Sequence, residues 1–499
     1  VARFTFTIAF ALLMSMPAAA RAEWREADTA HFQIYSGGGE GQLIAFAQRL
    51  EGVDALLRRV TGTPGDVAPV KVRVILLDTD DQVKKAYRGH DPDVVGFYTV
   101  NMQGPIAVSE RNAVDSEGDW GPDVTLFHEY AHHFMLEYFP ATYPAWYVEG
   151  FAEIASTAKT MTGGRMEYGK AADHRGWSLT SSRWVPVPQL IDSTYAAFPS
   201  DADFYGESWL LAHYLTFSGK RPGQLRKYLA ELGAGVANDA AAKDAFGDLN
   251  QLSREAHIYL DQASFSARAV PIELPKPETI KLRTLSPGEA DLMEETASFD
   301  EDLPKDQMAT YLARLRAKIA HYPSDPYALR LLADAEYAAE DYAASTATVD
   351  SLLAVAPDSV PGRVRKAMLL LNQAEKLDDP ARQAKVAEAR RLIVAANRAS
   401  PDEAQPLVAY YRSFLAAGER PPQQAVEGLK QAVGTVPADP GPRMMLVDQL
   451  VGDGKLADAV YYLGPIAYDP HGGSGQASAL KLIDELKQRL RAAAPAAKP

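Results

Sequence analysis

From Pro304 onward, Ala, Leu and Arg recur at three- and four-residue intervals, and proline-containing breaks interrupt the pattern at Pro323, Pro357, Pro401, Pro437 and Pro470. By subtraction the breaks lie 34, 44, 36 and 33 residues apart. Few folds accommodate such a rhythm. Each interval has room for two short helices and their turns, and such a pair has an apolar face that only a neighbouring pair can cover. Tyr327 to Ala339 followed by Tyr342 to Val355 reads as one pair, with Ala333 and Ala335 at close-contact positions. The longer interval has an insertion around Lys376 to Ala381. Residues 304–499 are therefore expected to form an all-α helical solenoid.

The rest of the chain reads differently. At 499 residues the protein exceeds what one hydrophobic core can organise, so two or three domains are expected. Residues 23–265 show a mixed pattern. His31 to Tyr35 is extended, Gly37-Gly38-Gly39 turns, and Gln42 to Val60 has helical period. Val70 to Leu76 alternates and then becomes wholly apolar, as a strand entering a core does. A helix follows over Asp80 to Tyr87, then short strands at Gly96 to Val100 and Gly104 to Ser109. The expectation is an α+β domain with its sheet first. Residues 266–303, with Pro271, Pro275, Pro277 and Pro287, read as a proline-rich linker.

Residues 1–22 read as a signal peptide: Arg3, the apolar stretch Phe4 to Met16, and Ala20-Arg21-Ala22 as the cleavage signal, which implies a periplasmic or secreted protein with no integral membrane segment after cleavage. A formal charge of −14 and the lack of a Lys/Arg cluster argue against nucleic-acid binding. The chain has no cysteine, which excludes disulfides, thiolate metal sites and a cysteine nucleophile.

The chemistry is concentrated in His128-Glu129-Tyr130-Ala131-His132 and in Glu149-Gly150-Phe151-Ala152-Glu153. On a helix His128 and His132 share one face, so two imidazoles converge on one tetrahedral ion, with Glu129 beside them. The surrounding segment Leu126 to Leu136 is apolar, and burying these polar groups is costly unless a divalent cation compensates. A catalytic zinc needs a third protein ligand. Glu149 and Glu153 both lie on a helix predicted to start at Pro144. Either serves as ligand, with the other supporting a histidine from behind. His133 points away from His132 and reads as packing.

These residues resemble the gluzincin metallopeptidases of the thermolysin and aminopeptidase N kind, in particular bacterial peptidase MA-like proteins. The run Trp146-Tyr147-Val148-Glu149-Gly150-Phe151-Ala152 is similar to the family's zinc-binding glutamate segment, at a gap of sixteen residues rather than eighteen. The resemblance covers residues 95 to 265 and implies a zincin-like catalytic fold. It implies Zn2+ on His128, His132 and Glu149, with Glu153 in support and Glu129 as general base. It also implies an oxyanion-stabilising Tyr205 ahead of a helix, in Tyr205-Gly206-Glu207-Ser208-Trp209. The family's amino-terminus-gripping glutamate is missing from Asn101 to Ser109. An endopeptidase is therefore implied, with Gly104, Pro105, Ile106 and Ala107 pairing with an extended peptide as a sheet edge. The 34-residue spacing of the helical half is similar to tetratricopeptide repeats, which implies a protein partner. The alternative function is a catalytically silent peptidase-fold scaffold whose repeats bind protein partners.

Overall fold

The computed structural model describes residues 23–65, 70–87, 94, 96–101, 103–111, 122–139, 143–181, 184–192, 201–262, 264–299, 303–467 and 475–493. The expected signal segment and Pro470 lie outside the described residues. The chain is mostly helical, with a mixed sheet in its first half. Among the described residues no helix is long and apolar enough to cross a membrane.

The main sheet has six strands, β1 (Arg25–Asp28), β2 (Phe32–Ser36), β3 (Val72–Leu77), β4 (Gly96–Asn101), β5 (Gly104–Glu110) and, from much later in the chain, β9 (Lys281–Thr284). Their order is β4-β5-β3-β2-β1-β9, parallel at β2–β3 and β3–β5 and antiparallel elsewhere. A second sheet joins β6 (Lys159–Met161), β7 (Arg165–Tyr168) and β8 (Arg268–Pro271). Alternation places Phe32, Ile34, Val72, Val74, Leu76 and Ala107 in one core with the helices Glu40–Thr61 and Pro122–Tyr138. Burying each of the larger of these side chains is worth about 1.5–3 kcal/mol. The opposite face, with Ile75, Leu77, Ile106 and Val108, packs on Val83, Ala86 and Ala297. Both faces are covered, and that explains why Val74-Ile75-Leu76-Leu77 is wholly apolar.

The expected linker is built into the fold. β8 pairs with β7, and β9 closes the main sheet along β1 at Arg25↔Thr284 to Asp28↔Lys281. The prolines flank strands so short that period-2 alternation has no length in which to show. Ser286 then caps the helix Pro287–Asp291 in a reciprocal capping box with Glu289, and Ala297 on the helix Met293–Ala297 reaches the sheet.

After the helix Lys305–Ile319, the second half stacks antiparallel pairs: Pro326–Ala338 with Tyr342–Val355, Val360–Ala374 with Ala381–Ala399, Ala404–Ala416 with Gln423–Thr435, and Pro440–Gly452 with Leu456–Ala467. The first helices of the pairs start 34, 44 and 36 residues apart by subtraction. Local chemistry sets these starts: Asp325 and Asp439 accept from backbone N–H groups ahead of Pro326 and Pro440 at the first helical position. The expected insertion is shared between residues 375–380 and the 19-residue helix Ala381–Ala399. The helix Gln476–Ala493 packs on Leu456–Ala467.

Candidate metal centre

The helix Pro122–Tyr138 lies between the sheet and the helix Ala145–Ser156, and the helix Asp201–Phe217 packs on the latter. His128 and His132 are 6% and 2% exposed, and their Nε2 atoms are 3.0 Å apart. Glu149, fully buried on the second helix, brings Oε2 to 3.2 Å from His128 Nε2 and 3.5 Å from His132 Nε2. On the other side of this second helix, Gly150 lets the helix Asp201–Phe217 close in. A Cβ there would stand 2.4 Å from the Ser208 carbonyl oxygen and 2.6 Å from Ala212 Cβ.

A tetrahedral ion with arms of about 2.0–2.1 Å requires donor atoms roughly 3.3 Å apart, and the three separations bracket that value. Burial alone would raise the Glu149 carboxyl, but the His132 and His128 imidazoles hold it well below the usual range. Burial opposes charge on His128, yet Glu149, Glu153 and Glu129 raise its pKa. By their spacing and donor chemistry, the residues present fit a divalent metal such as Zn2+, which His128, His132 and Glu149 would hold. Such an ion, bound with an open fourth position, acidifies water and polarises a substrate oxygen.

Glu153 stands one turn beyond Glu149, fully buried. Its Oε1 lies 3.4 Å from His128 Nδ1 and accepts from Arg175 Nε at 2.9 Å, and its Oε2 is 2.8 Å from His174 Nε2. Burial acts against its charge, but Arg175, His174 and His128 hold its pKa at about 2. The structure thus groups Glu149 with the two Nε2 atoms and sets Glu153 behind His128 at 3.4 Å, without a hydrogen bond to that ring. His174 and Arg175 are what the sequence reading missed. They come from a short turn, Asp173–Arg175, with no motif spacing to the metal helix. The one available signal was that a carboxylate on so apolar a helix needs a cation.

Glu129 is half-buried, and its charge is felt at both His128 and Tyr98. Tyr205 lies inside the helix Asp201–Phe217, not ahead of it, with its ring 6.0 Å from that of His128 and the Arg175 guanidinium carbon 4.5 Å over its face. Its helix begins earlier than the Tyr-Gly pair suggests because Gly206 is tolerated within it, packed against Ser178 and Leu179. His133 points elsewhere, with Nδ1 at 2.9 Å from Tyr98 Oη. Burial and the nearby His31 lower its pKa to about 4. One expectation fails outright. Gly104, Pro105, Ile106 and Ala107 lie on β5, whose hydrogen bonds go to β4 on one side and β3 on the other, so this strand is not an edge open to a peptide. The β4–β5 turn folds the preceding segment back over it.

No family model and no curated protein matches the chain. Solved structures do. A thermophilic TPR protein of Thermus thermophilus, TTC0263, is 20% identical, covering 37% of this chain and 92% of that one at a TM-score of 0.31. MamA from Desulfovibrio magneticus RS-1, residue 41 to the end, is 16% identical, covering 37% and 87% at 0.24, and a MamA RS-1 double mutant is 17% identical, covering 37% and 86% at 0.24. At these scores the three likenesses carry no role over to this chain. No family model places the chain among the peptidase MA-like gluzincins, and that expectation is corrected. The expected endopeptidase, hydrolase and metalloprotease activity is withdrawn with it. The repeat domain itself rests on the helix pairs of this chain.

Proposed function

We propose that the protein is a protein-interaction scaffold, its helical repeats holding partner proteins and its α/β domain carrying a divalent-metal centre. The observation that carries this is the series of four antiparallel helix pairs, an architecture that offers extended surface rather than a single cavity. Large apolar side chains stand exposed on these helices, among them Tyr461 at 57% and Leu415 at 52%. A zincin-like arrangement, meaning a mixed sheet beside a metal-carrying helix, is part of the proposal; a peptidase activity is not. The test is quantitative cross-linking of the full chain beside Leu415→Ser and Tyr461→Ser. Partners lost in these variants at unchanged melting temperature support the scaffold. An identical cross-link pattern counts against it.

The metal centre has its own test. His128, His132 and Glu149 are the three donors that would hold the ion. Metal analysis of the full chain beside His128→Ala and Glu149→Ala is expected to show one zinc per chain that both variants lose, and equal metal content in all three would remove the centre from the proposal.

A further inference from the structure

The sheet and the repeats meet in a cleft of about 450 Å³. On the sheet side β2 and β3 pair Gln33 with Arg73, and alternation turns both away from the core that holds Phe32, Ile34, Val72 and Val74. On the repeat side the walls come from the first helix of three successive pairs, which present Arg330 and Asp334, then Arg365, then Glu403 and Arg412. The sheet thus covers this face of the repeats. What remains has the size of a small-molecule site.

The charge in this cleft runs against that of the chain. Five cationic side chains, Lys71 being the fifth, face two carboxylates, although the whole protein has a net charge of −14. Several of these charges are already committed. Lys71 binds Asp28 at 2.5 Å, while Arg330 and Arg365 share Asp334 at 3.3 and 2.8 Å. Arg73 and Arg412 make no ion pair among the described residues, and Arg73 Nε is buried without a hydrogen-bond partner there. Burial and the neighbouring Arg330 push the Arg73 pKa down, and burial raises that of the Glu403 carboxyl. A valine at position 73 would satisfy the strand at lower cost, since Arg73 is only partly exposed and its buried Nε lacks a partner.

We propose that this cleft binds a small organic anion with two or more carboxylate or phosphate groups, clamped between Arg73 of the sheet and Arg412 of the repeats. Planar guanidinium groups pair bidentately with either kind of oxyanion. A ligand held from both sides would also fix the repeats on the sheet.

The experiment is titration calorimetry of the full chain with citrate and, separately, pyrophosphate, against sodium chloride at matched ionic strength. Saturable binding of one or both anions is expected, and which one binds identifies the headgroup chemistry. Binding should weaken at least about tenfold in Arg73→Val and in Arg412→Gln. Arg73→Val should also melt higher than the unmodified chain in anion-free buffer, which separates loss of the site from loss of the fold. No saturable heat from either anion, an equal effect of chloride, or undiminished binding in both variants would overturn the proposal.

Discussion

The guanidinium carbon of Arg175 stands 4.5 Å over the ring of Tyr205 while its Nε donates to Glu153 at 2.9 Å, so one side chain ties the carboxylate behind His128 to the aromatic beside it. Replacing Arg175 by Met keeps much of the bulk and leaves Glu153 as a buried anion with only His174 and His128 for company. Removing one partner of a buried pair costs about 3–5 kcal/mol, and loss of support behind a metal ligand lowers affinity roughly 10–100-fold. Zinc affinity and chemical denaturation of Arg175→Met should show both losses, with part of the stability restored in Arg175→Met/Glu153→Gln. A variant with unchanged zinc affinity would show that Glu153 does not orient His128.

Gly150 predicts a different kind of damage. With the Ser208 oxygen 2.4 Å from any Cβ placed there, Gly150→Ala must separate the helices Ala145–Ser156 and Asp201–Phe217, which together carry Glu149 and Tyr205. Overpacking of this kind costs about 1–3 kcal/mol. Gly41→Ala, in open space on the helix Glu40–Thr61, should shift stability by no more than about 1 kcal/mol. Thermal melts of the two variants side by side decide it, and equal shifts would mean that the close approach is not required.

His213 sets a pH dependence. Its Nε2 is 2.8 Å from the Gly169 carbonyl oxygen and its Nδ1 is 3.0 Å from Tyr259 Oη, and burial lowers its pKa from 6.5 to about 4. A depressed folded-state pKa gives stability that is complete above 6.5 and is lost as pH falls toward 4, about 3 kcal/mol across that window. Denaturation at pH 7.5 and pH 4.5 should show the loss, and His213→Gln should reduce it by about half, His133 carrying a similar shift. A slope that survives the substitution undiminished would have to come from other groups.

How far the sequence disclosed all this depended on the range of each signal. The repeats were legible because Asp325-Pro326 and Asp439-Pro440 announce helix starts within a few residues, and β3 was legible because its apolar run is continuous. His128 and His132 were legible because a helical spacing of four has one geometric meaning. Long-range pairing was not. β9 meets β1 across more than half the domain's length, so Lys281 to Thr284 looked like linker, and β5 looked like an edge because nothing local in Gly104 to Ala107 reveals neighbours on both sides. Arg73 was hidden for the same reason: an arginine on a strand reads as solvent-facing until the repeats are known to cover it.

That long-range pairing also makes a prediction about domain limits. If residues 266–299 were a linker, a chain of residues 23–265 would fold as well as one of residues 23–299. The structure says otherwise, because the shorter chain loses β8 and β9 and the cover that Ala297 gives to Ile75, Leu77 and Val108. Exposing apolar sheet surface and an unpaired β1 edge invites association. The 23–265 chain should therefore melt at lower temperature and bind a hydrophobic dye, whereas 23–299 melts in one transition and binds less. Matching melts without dye binding in either chain would return this segment to the status of a linker.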